Sequence, residues 1–530
     1  MITPAVARII TTGGQDAELP ASGVICLVGS NNVGKSQMLR DIRSLLGDGQ
    51  PEPIVLDRIE LSREPLLPHE QMDTVLPTFE QWLRKNFTPV PQPNGQTLYQ
   101  AVPGGPAVPP HQGFISMNQN HHSLGQMRDF YCLFAEAGTR VALADPLPNR
   151  SGTSPNPHPL ARVFWDGPLE TRLRELCSDV FGFGITLDRL SESTQFRAGE
   201  VDVPIPPFNE PSPEYAQAVA ELPPLHNQGD GVRSFVGLAL HVLAGAQNII
   251  LIDEPEAFLH PAQARSFGRW LAGESRDSGR QVIIATHSRD LLIGLLEGEA
   301  TATVIRLDRI GDKCNVTQLP TTDLSEVWAD PVLRYSNVLD GLFYRTVVVC
   351  EADADCRFYS AVLDALAPVD ALETRSSEIL FVPSGGKDGI PKIARTLTQL
   401  GVLTSAIADF DVFRSRTKVI EILESVGGHW DDGLNEQYVS MAEALNADGG
   451  TKWNSAKTHG SAAVPPGVAN TSAAALVAEL ARRRLIVVPS GELESFDRST
   501  ALKGSAWVSN ALHSEVHRTS AAAQALMTLI

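Results

Sequence analysis

A glycine-rich loop near the N-terminus constrains the fold of this chain more than any other segment. An apolar strand, "GVICLV", runs directly into the pattern Gly-x4-Gly-Lys-Ser, and the helical pattern "SQMLRDIRSLLG" follows at once. Glycines let consecutive backbone N–H groups surround phosphate oxygens at a helix N-terminus, the lysine neutralises them, and the hydroxyl reaches Mg²⁺. The loop therefore predicts a nucleotide triphosphate site, formed by Gly29, Asn31, Asn32, Gly34, Lys35 and Ser36.

Composition limits the classes of protein to which this chain can belong. A chain of 530 residues exceeds one ordinary core, and its 43% hydrophobic and 20% charged content is that of a globular protein. The formal net charge of −19 argues against a surface coated with basic residues for non-specific nucleic-acid binding. The six cysteines form no CxxC pair, and no apolar run approaches the roughly 20 residues of a membrane helix. We expect a cytoplasmic protein of two or three domains.

Acidic and histidine residues follow two later strands. "NIILIDE" ends in Asp253 and Glu254, and "QVIIATHS" ends close to His287. Asp253 can hold a hydrated Mg²⁺, Glu254 can orient and deprotonate an attacking water, and His287 can sense a γ-phosphate. Taken alone, a strand-end histidine is more often structural. Strands alternating with helices predict a parallel sheet in an α/β domain.

The order of these motifs resembles that of the ABC-type ATPases. "NQGDGVRS" (Asn227–Ser234) stands where the family has its glycine signature. It differs from the transporter form LSGGQ and resembles the GDG-x-RS variant of soluble ATPases of the overcoming-lysogenisation-defect (OLD) group. The resemblance implies ATP and Mg²⁺ as cofactors and a functional dimer. In that dimer the γ-phosphate bound by one protomer is capped by signature residues of the other, here Gln228, Gly229 and Gly231.

Two further strands, in the C-terminal part of the chain, end in carboxylates. Glu351 closes "RTVVVCE", and Asp409 and Asp411 close "SAIADFD". Two residues apart on an extended chain, the two aspartates would point to the same side. Parallel strands present their carboxyl ends at one edge, and carboxylates gathered there repel one another unless a cation joins them. Because hard oxygen ligands suit Mg²⁺ or Mn²⁺, the sequence predicts a divalent-metal site.

This second pattern resembles the TOPRIM domain of topoisomerases, primases and OLD-family nucleases. "VPSGGKDG" (Val382–Gly389) and "VVPSGELESF" (Val487–Phe496) echo segments of ATPase–TOPRIM nucleases, including those of Gabija-type phage-defence systems. The resemblance implies that Glu351 helps to activate water and that Lys503 stabilises charge on the cleaved phosphate. It also implies a set of metal ligands: Glu351, Asp355, Asp409, Asp411 and Glu494. The chain departs from the family pattern at Ala352, where a glycine usually follows the glutamate. The segment "EADAD" also supplies three acids in five residues, which leaves open whether Asp353 or Asp355 faces the metal.

These motifs divide the chain into two domains. We predict an α/β protein with an ABC-type P-loop ATPase domain over residues 1–335 and a TOPRIM-like Rossmannoid domain over residues 336–530. An insertion at about 50–222 carries no recognisable ATPase signal. Its proline-rich stretches disfavour continuous helix or central strand.

Three functions are compatible with these motifs. The first is an ATP-hydrolysing, divalent-metal-dependent endonuclease that acts on nucleic acid in bacterial anti-phage defence, and DNA is the substrate that we expect. It would act as a homodimer or higher homo-oligomer without a membrane partner. The second is a sensor or scaffold ATPase whose degenerate TOPRIM-like domain docks or regulates a separate effector protein encoded nearby; Ala352 and the acidic charge favour it. The third, a DNA-clamping chromosome-maintenance ATPase, would need sustained coiled-coil heptads, which the sequence lacks.

Overall fold

The computed structural model forms two compact units, Met1–Val28 with Asn32–Leu324, and Gly29–Asn31 with Ser325–Ile530. Within the described residues, no helix is both long and apolar enough to cross a membrane. The structure describes residues 3–49, 51–62, 69–102, 104–119, 122–148, 158–207, 210, 212–298, 302–311, 313–319, 324, 329–334, 337–366, 376–447 and 449–530.

The first unit alternates strands and helices through much of its length. Its strands are β1 (Ala5–Thr11), β2 (Asp16–Glu18), β3 (Gly23–Val28), β4 (Leu56–Ser62), β5 (Thr88–Pro91), β6 (Thr97–Gln100), β7 (Ala107–Val108), β8 (Cys132–Ala135), β9 (Leu147–Pro148), β10 (Ile185–Asp188), β11 (Ser193–Ala198), β12 (Ile249–Asp253), β13 (Gln281–Ala285), β14 (Thr303–Ile310) and β15 (Lys313–Leu319). Its helices are α1 (Lys35–Leu46), α2 (His69–Asn86), α3 (Pro110–Gln119), α4 (Arg128–Tyr131), α5 (Ala137–Arg140), α6 (Pro159–Trp165), α7 (Gly167–Phe181), α8 (Pro213–Glu221), α9 (Asp230–Ala244), α10 (Pro261–Ser278) and α11 (Arg289–Glu297).

A six-stranded sheet organises this unit, in the order β15-β14-β3-β13-β12-β8. The pairs from β14 to β8 are parallel, and β15 is antiparallel to β14. Every residue of β12 and β13 is buried, as expected for parallel strands covered on both faces. The phosphate loop, Asp253 and His287 all follow the carboxyl ends of adjacent strands in this sheet. The predicted α/β class is confirmed.

Two strands correct the predicted insertion at 50–222. β8 pairs in parallel with β12 over Ile249↔Cys132 to Ile252↔Ala135, and β4 pairs with β1. Both segments therefore belong to sheets with ATPase-domain strands, and the insertion prediction is wrong for them. β8 has only four residues, "CLFA", which is too short for a periodic pattern to distinguish an edge strand from a loop.

Asp41 fixes the phosphate-loop helix α1 to the segment that leads into β4. Its carboxylate is buried and accepts hydrogen bonds from three consecutive backbone N–H groups, those of Ile54, Val55 and Leu56, at 2.9, 2.5 and 3.0 Å. Such bonds to a charged acceptor are stronger than neutral ones, and removing the acceptor leaves buried donors without a partner.

We predict that Asp41→Ala lowers the free energy of unfolding by about 2–4 kcal/mol, because three backbone donors lose their acceptor together. Chemical denaturation followed by circular dichroism measures the loss. The control is Asp57→Ala, whose carboxylate is solvent-exposed and lies 3.9 Å from Arg58. That substitution should change stability by less than about 0.5 kcal/mol. An equal loss in both variants would contradict the role of Asp41.

The second unit is built on a parallel sheet in the order β17-β16-β18-β19. Glu351 follows β16 and Asp409 follows the adjacent β18. Its strands are β16 (Thr346–Cys350), β17 (Ile379–Pro383), β18 (Leu403–Ala408) and β19 (Leu485–Val487). Its helices are α12 (Pro331–Arg334), α13 (Asp353–Leu366), α14 (Ile390–Gln399), α15 (Arg416–Ser425), α16 (Asp432–Asn446), α17 (Lys452–His459), α18 (Val468–Arg482), α19 (Gly504–His513), α20 (Val516–Thr519) and α21 (Ala521–Met527).

Candidate nucleotide and metal sites

The phosphate loop has the backbone that its glycines predict. Gly29 and Gly34 have φ values of 146° and 106°, and Asn32 adopts the left-handed region at 64°. Gly34 caps the N-terminus of α1, where a Cβ would also approach Val55 Cγ2 at 3.0 Å. Only glycine combines that backbone with that space. The loop therefore directs backbone N–H groups of a helix N-terminus toward an anion.

The predicted Mg²⁺ ligands of the ATP site meet in the structure. Ser36 Oγ donates to Asp253 Oδ1 at 2.8 Å, although 217 residues separate them in sequence. Burial lowers the pKa of Lys35 to about 8, opposed by the negative charges of Glu254, Glu256 and Asp253. A triphosphate would raise the pKa of Lys35 again by supplying anionic oxygens next to it. The residues present therefore fit ATP with Mg²⁺.

Glu254 and His287 also come together. Glu254 has a left-handed φ of 49°, and His287 Nε2 lies 3.5 Å from Glu254 Oε1. Burial, followed by the charge of the nearby Lys35, lowers the pKa of His287 to about 4. The imidazole is thus neutral at pH 7, so the contact is a weak polar one between a carboxylate and a neutral ring, and both groups stay partly open to solvent.

Glu256 was missed by the sequence reasoning. Its Oε1 accepts from Thr286 Oγ1 at 2.7 Å and from the backbone N–H of His287 at 2.8 Å. Burial raises its pKa, and these hydrogen bonds oppose that rise. Glu256 thus joins the turn after β12 to the turn after β13, which positions His287. The available signal was the third acid in "DEPE", the residue directly after Pro255.

The signature segment begins α9. Gly229 is the residue before the helix, and Gly231 lies so close to the turn after β12 that a Cβ there would sit 2.5 Å from Phe258 O. Phe258 itself has a φ of 72° and a solvent-exposed ring. Gln228 precedes Gly229 in the same turn. Gly231 therefore allows close backbone contact between the signature and the segment that follows Glu254.

Three predicted metal ligands lie together at the carboxyl edge of the second sheet. The backbone N–H of Asp409 donates to Glu351 Oε1 at 3.1 Å, and that of Ala352 donates to Asp355 Oδ2 at 2.8 Å. Burial, followed by the charges of Glu351, Asp355 and Asp411, raises the pKa of Asp409 to about 9. Burial likewise raises the pKa of Asp355 to about 6 and raises that of Glu351.

The structure corrects the predicted geometry of Asp411. β18 ends at Ala408, and Asp411 lies in a 3₁₀ turn, Phe410–Arg414, rather than on an extended strand. Phe410 and Phe413 are both buried, and a turn brings residues three apart to the same side. Asp411 still faces this group, since its charge contributes to the raised pKa values of Glu351 and Asp409.

The segment Val382–Gly389 supports the site. The N–H of Gly386 donates to Glu351 O at 2.7 Å, and Ser384 Oγ donates to Cys350 O at 2.8 Å. Lys387, which the sequence reasoning did not single out, places Nζ 3.1 and 3.2 Å from the two Asp411 carboxylate oxygens. The segment thus holds the Glu351 turn and brings a cation to a predicted ligand.

The segment Val487–Phe496 contributes from the other side. Glu494 Oε1 accepts from the N–H of Gly504 at 2.7 Å, and its charge adds to the raised pKa of Asp355. Lys503 Nζ donates to Glu492 Oε1 at 3.3 Å, and Lys457 Nζ lies 3.9 Å from Glu492 Oε2. Glu492 is a buried acid that the sequence reasoning missed, although it stands in the quoted motif "GELES".

These carboxylates fit a divalent cation electrostatically. Among the described residues, no three acidic, histidine or cysteine side chains are already arranged to hold a metal ion. The raised pKa of Asp409 nevertheless shows what a cation would relieve, because buried carboxylates destabilise one another until positive charge joins them. Ala352 has no positive φ, so alanine in place of the family's glycine adds no backbone strain.

Two family models match parts of the chain. Residues 220–294 match the family described as "AAA domain, putative AbiEii toxin, Type IV TA system". Residues 342–411 match "Overcoming lysogenization defect protein-like, TOPRIM domain". The chain therefore combines an AAA-type P-loop ATPase domain with a C-terminal OLD-like TOPRIM domain, which confirms the architecture that the sequence motifs predicted.

One curated relative is a nuclease by name. The chain is similar to the Old nuclease of Escherichia phage P2, with 26% identity over 208 residues, or 38% of this chain. The match spans 33% of that protein, so it covers about a third of the relative's length.

Solved structures with a related fold include heads of SMC ATPases. The SMC head bound to the C-winged helix domain of ScpA is 12% identical, with a TM-score of 0.35, and covers 60% of this chain and 99% of that one. The SMC head domain from Thermotoga maritima is 13% identical, with a TM-score of 0.31 and coverages of 59% and 99%. Both likenesses are too distant to carry a functional argument.

Proposed function

We propose that this protein is an ATP-hydrolysing, divalent-metal-dependent endonuclease that acts on DNA in bacterial anti-phage defence. The observation that carries the proposal is the group of partly buried carboxyl side chains of Glu351, Asp355 and Asp409 at the edge of an OLD-like TOPRIM sheet. The same chain places Ser36 and Asp253 together beside a phosphate loop. We assign the ATPase domain to residues 1–335 and the TOPRIM-like domain to residues 336–530.

The ATP site supports hydrolysis through its own side chains. Ser36 and Asp253 would hold Mg²⁺, which neutralises phosphate charge when bound. Lys35, buried beside the acids, would face the β- and γ-phosphates. Glu254 can accept a proton from the attacking water, and the neutral His287 beside it can hydrogen-bond a phosphate oxygen.

The TOPRIM site supports phosphodiester hydrolysis. Glu351, Asp355, Asp409, Asp411 and Glu494 would hold Mg²⁺ or Mn²⁺, which stabilises the attacking and leaving oxygens when bound. Glu351 can accept a proton from water. Lys387, Lys457 and Lys503 each lie within 3.9 Å of a carboxylate of this group or of Glu492. They supply the local positive charge that DNA needs on a chain of net charge −19.

Assembly would couple the two sites. In the proposed homodimer or higher homo-oligomer, the signature residues Gln228, Gly229 and Gly231 of one protomer cap the ATP of the other. ATP binding then favours the closed assembly and hydrolysis reverses it, which gives a two-state element that both sites can bias. We place this enzyme in the cytoplasm, where phage DNA and ATP are both accessible.

Plasmid cleavage tests the proposal. Parent protein with ATP and Mg²⁺ or Mn²⁺ should nick or linearise supercoiled DNA, and Asp409→Asn should reduce the product to the level seen with EDTA. Asp353→Asn is the matched control, because Asp353 is exposed and pairs with Arg357 at 2.6 Å. Equal cleavage by the parent and Asp409→Asn would refute the nuclease assignment.

A sensor or scaffold ATPase is the second candidate. The observation that favours it is the ion pair between Lys387 and Asp411, since a lysine already offsets the charge of a predicted ligand. This function predicts background-level cleavage by both parent and Asp409→Asn, and a stable complex with an effector encoded nearby. Recovery of the tagged protein alone from its native host would count against it.

A further inference from the structure

A buried arginine lies beside the ATP site in a segment where the sequence reasoning saw no ATPase signal. Arg140 ends the short helix α5 and has no solvent-exposed surface. Its Nη1 donates to the backbone carbonyl of Glu254 at 2.8 Å. Its Nε and Nη2 make no hydrogen bond to any described residue. The guanidinium therefore has a single neutral acceptor.

The surroundings of Arg140 do not favour the stability of the fold, but they place its positive charge near the acidic residues of the ATP site. Burial lowers its pKa, opposed by the charges of Glu256, Asp253 and Glu254. A buried cation with incomplete hydrogen bonding costs stability, and an apolar residue of similar volume is often as good or better for the fold. Its position therefore points to a role near these carboxylates rather than in holding the domain together.

Its hydrogen bond acts on the turn that carries the predicted catalytic glutamate. Glu254 O also accepts from the N–H of Ala257 at 2.9 Å, so the carbonyl has two donors. Glu254 adopts a left-handed φ of 49°, a conformation uncommon for glutamate. Two hydrogen bonds to its carbonyl fix the orientation of that peptide and, through it, the direction of the carboxylate.

Arg140 also touches the helix that follows the signature. A Cβ at Gly237 of α9 would lie 2.7 Å from Arg140 O, so the two backbones are in direct contact. α9 begins at Asp230, immediately after Gly229. One residue thus contacts both the Glu254 turn and the signature helix of the same protomer.

We propose that Arg140 is a positioning residue of the ATPase reaction, which holds the Glu254 turn in its hydrolytic conformation and links that turn to α9. The role rests on the proposed ATPase function. Arg140 acts through the backbone of Glu254, to whose carbonyl its guanidinium donates. Its removal should therefore affect turnover and spare nucleotide affinity.

Arg140→Met, Arg140→Lys and Arg162→Met, in the full chain, test this role. Arg162 is the matched control because it is a partly buried arginine whose guanidinium also donates to a carbonyl, Ala244 O at 2.7 Å, at the far end of α9. Arg162 also donates to Asn86 Oδ1 at 2.6 Å, so its guanidinium has two acceptors where that of Arg140 has one. Three quantities are measured for each protein: the kcat for ATP, the Kd for ATP and the thermal midpoint.

Arg140→Met should lower kcat by about 10²-fold, the size of effect expected when a catalytic group is displaced by about 1 Å. Its Kd for ATP should stay within about threefold, and its thermal midpoint should stay level or rise because a poorly paired buried charge is gone. Arg140→Lys, which can still donate to Glu254 O, should recover part of the kcat. Arg162→Met should lower the thermal midpoint and leave kcat within about twofold, since it breaks paired hydrogen bonds away from the site.

Two results would overturn the role. One is an Arg140→Met protein with the kcat of the parent. The other is a parallel loss of kcat, ATP affinity and thermal midpoint in Arg140→Met, which is the behaviour of a purely structural residue. A parent protein that hydrolyses no ATP would refute the proposed ATPase function itself, and this role with it.

Discussion

Replacing Glu254 by glutamine should lower ATP turnover by about 10²–10³-fold, the usual contribution of a general base, while ATP still binds. Glutamine keeps the size of the side chain and its 3.5 Å approach to His287, but an amide cannot take a proton from water. Lys35, Ser36 and Asp253 are untouched, so the triphosphate keeps its contacts. Phosphate release under steady state measures turnover, and equilibrium dialysis with ATP measures binding.

The same variant tests the proposed assembly. If hydrolysis separates ATP-bound protomers, Glu254→Gln should accumulate as a dimer with ATP and Mg²⁺ in sedimentation velocity. The parent should return to the oligomeric state that it has without ATP. Glu221→Gln, an exposed glutamate at the end of α8, is the control and should match the parent. Parental turnover in Glu254→Gln would remove the glutamate from the catalytic role. A matching loss of ATP affinity would reassign it to folding of the turn.

The sequence predicted the strand ends because each is a short, fully buried apolar run followed at once by a polar residue. β12 and β16 have every residue buried, and Asp253 and Glu351 stand at or just past their ends. The contact between Ser36 and Asp253 spans 217 residues, yet it was predictable because both residues belong to motifs with a shared phosphate chemistry.

Contacts without such a shared chemistry could not be predicted. Arg140 reaches Glu254 across 114 residues from "EAGTR", a segment with no motif and only one turn of helix. Lys387 meets Asp411 because a glycine turn after β17 folds over β16, and the sequence shows the turn without its partner. Charge and glycine content are local signals, whereas these pairings are set by which strands become neighbours.

The turn at Asp411 shows how a local pattern can mislead. "ADFDVF" looks like alternation of polar and apolar residues on an extended strand, which would give Asp409 and Asp411 the same direction. Phe410, Val412 and Phe413 are all buried, and that spacing is not the spacing of a strand. Packing of both phenylalanines bends the chain into a 3₁₀ turn, and the two rings touch with centroids 5.1 Å apart.

Asp409→Asn should stabilise the protein in the absence of metal and abolish its response to Mn²⁺. The parent places the partly buried Asp409 carboxyl among those of Glu351, Asp355 and Asp411, and desolvation followed by their charges raises its pKa to about 9. At pH 7 the metal-free parent has to protonate Asp409 on folding, because the pKa of an aspartate in the unfolded chain is about 4. An isosteric amide is neutral in both states and removes this cost, so the metal-free thermal midpoint should rise by about 2–4 °C for each kcal/mol removed. With Mn²⁺ at about 100 times its Kd, the parent should gain about 2.7 kcal/mol and unfold at a higher temperature.

A metal-free thermal midpoint that rises in Asp409→Asn, together with a Mn²⁺ response that is lost, distinguishes a metal site from an ordinary buried acid. Asp353→Asn, at the first residue of α13, is exposed and paired with Arg357, and it should leave both the metal-free midpoint and the Mn²⁺ response as in the parent. If Asp409 were held only by hydrogen bonds, its replacement would lower the midpoint and Mn²⁺ would shift neither protein. If Mn²⁺ raised the midpoints of the parent and Asp409→Asn equally, the cation would bind elsewhere, since a site that loses a buried charged ligand cannot keep its full affinity.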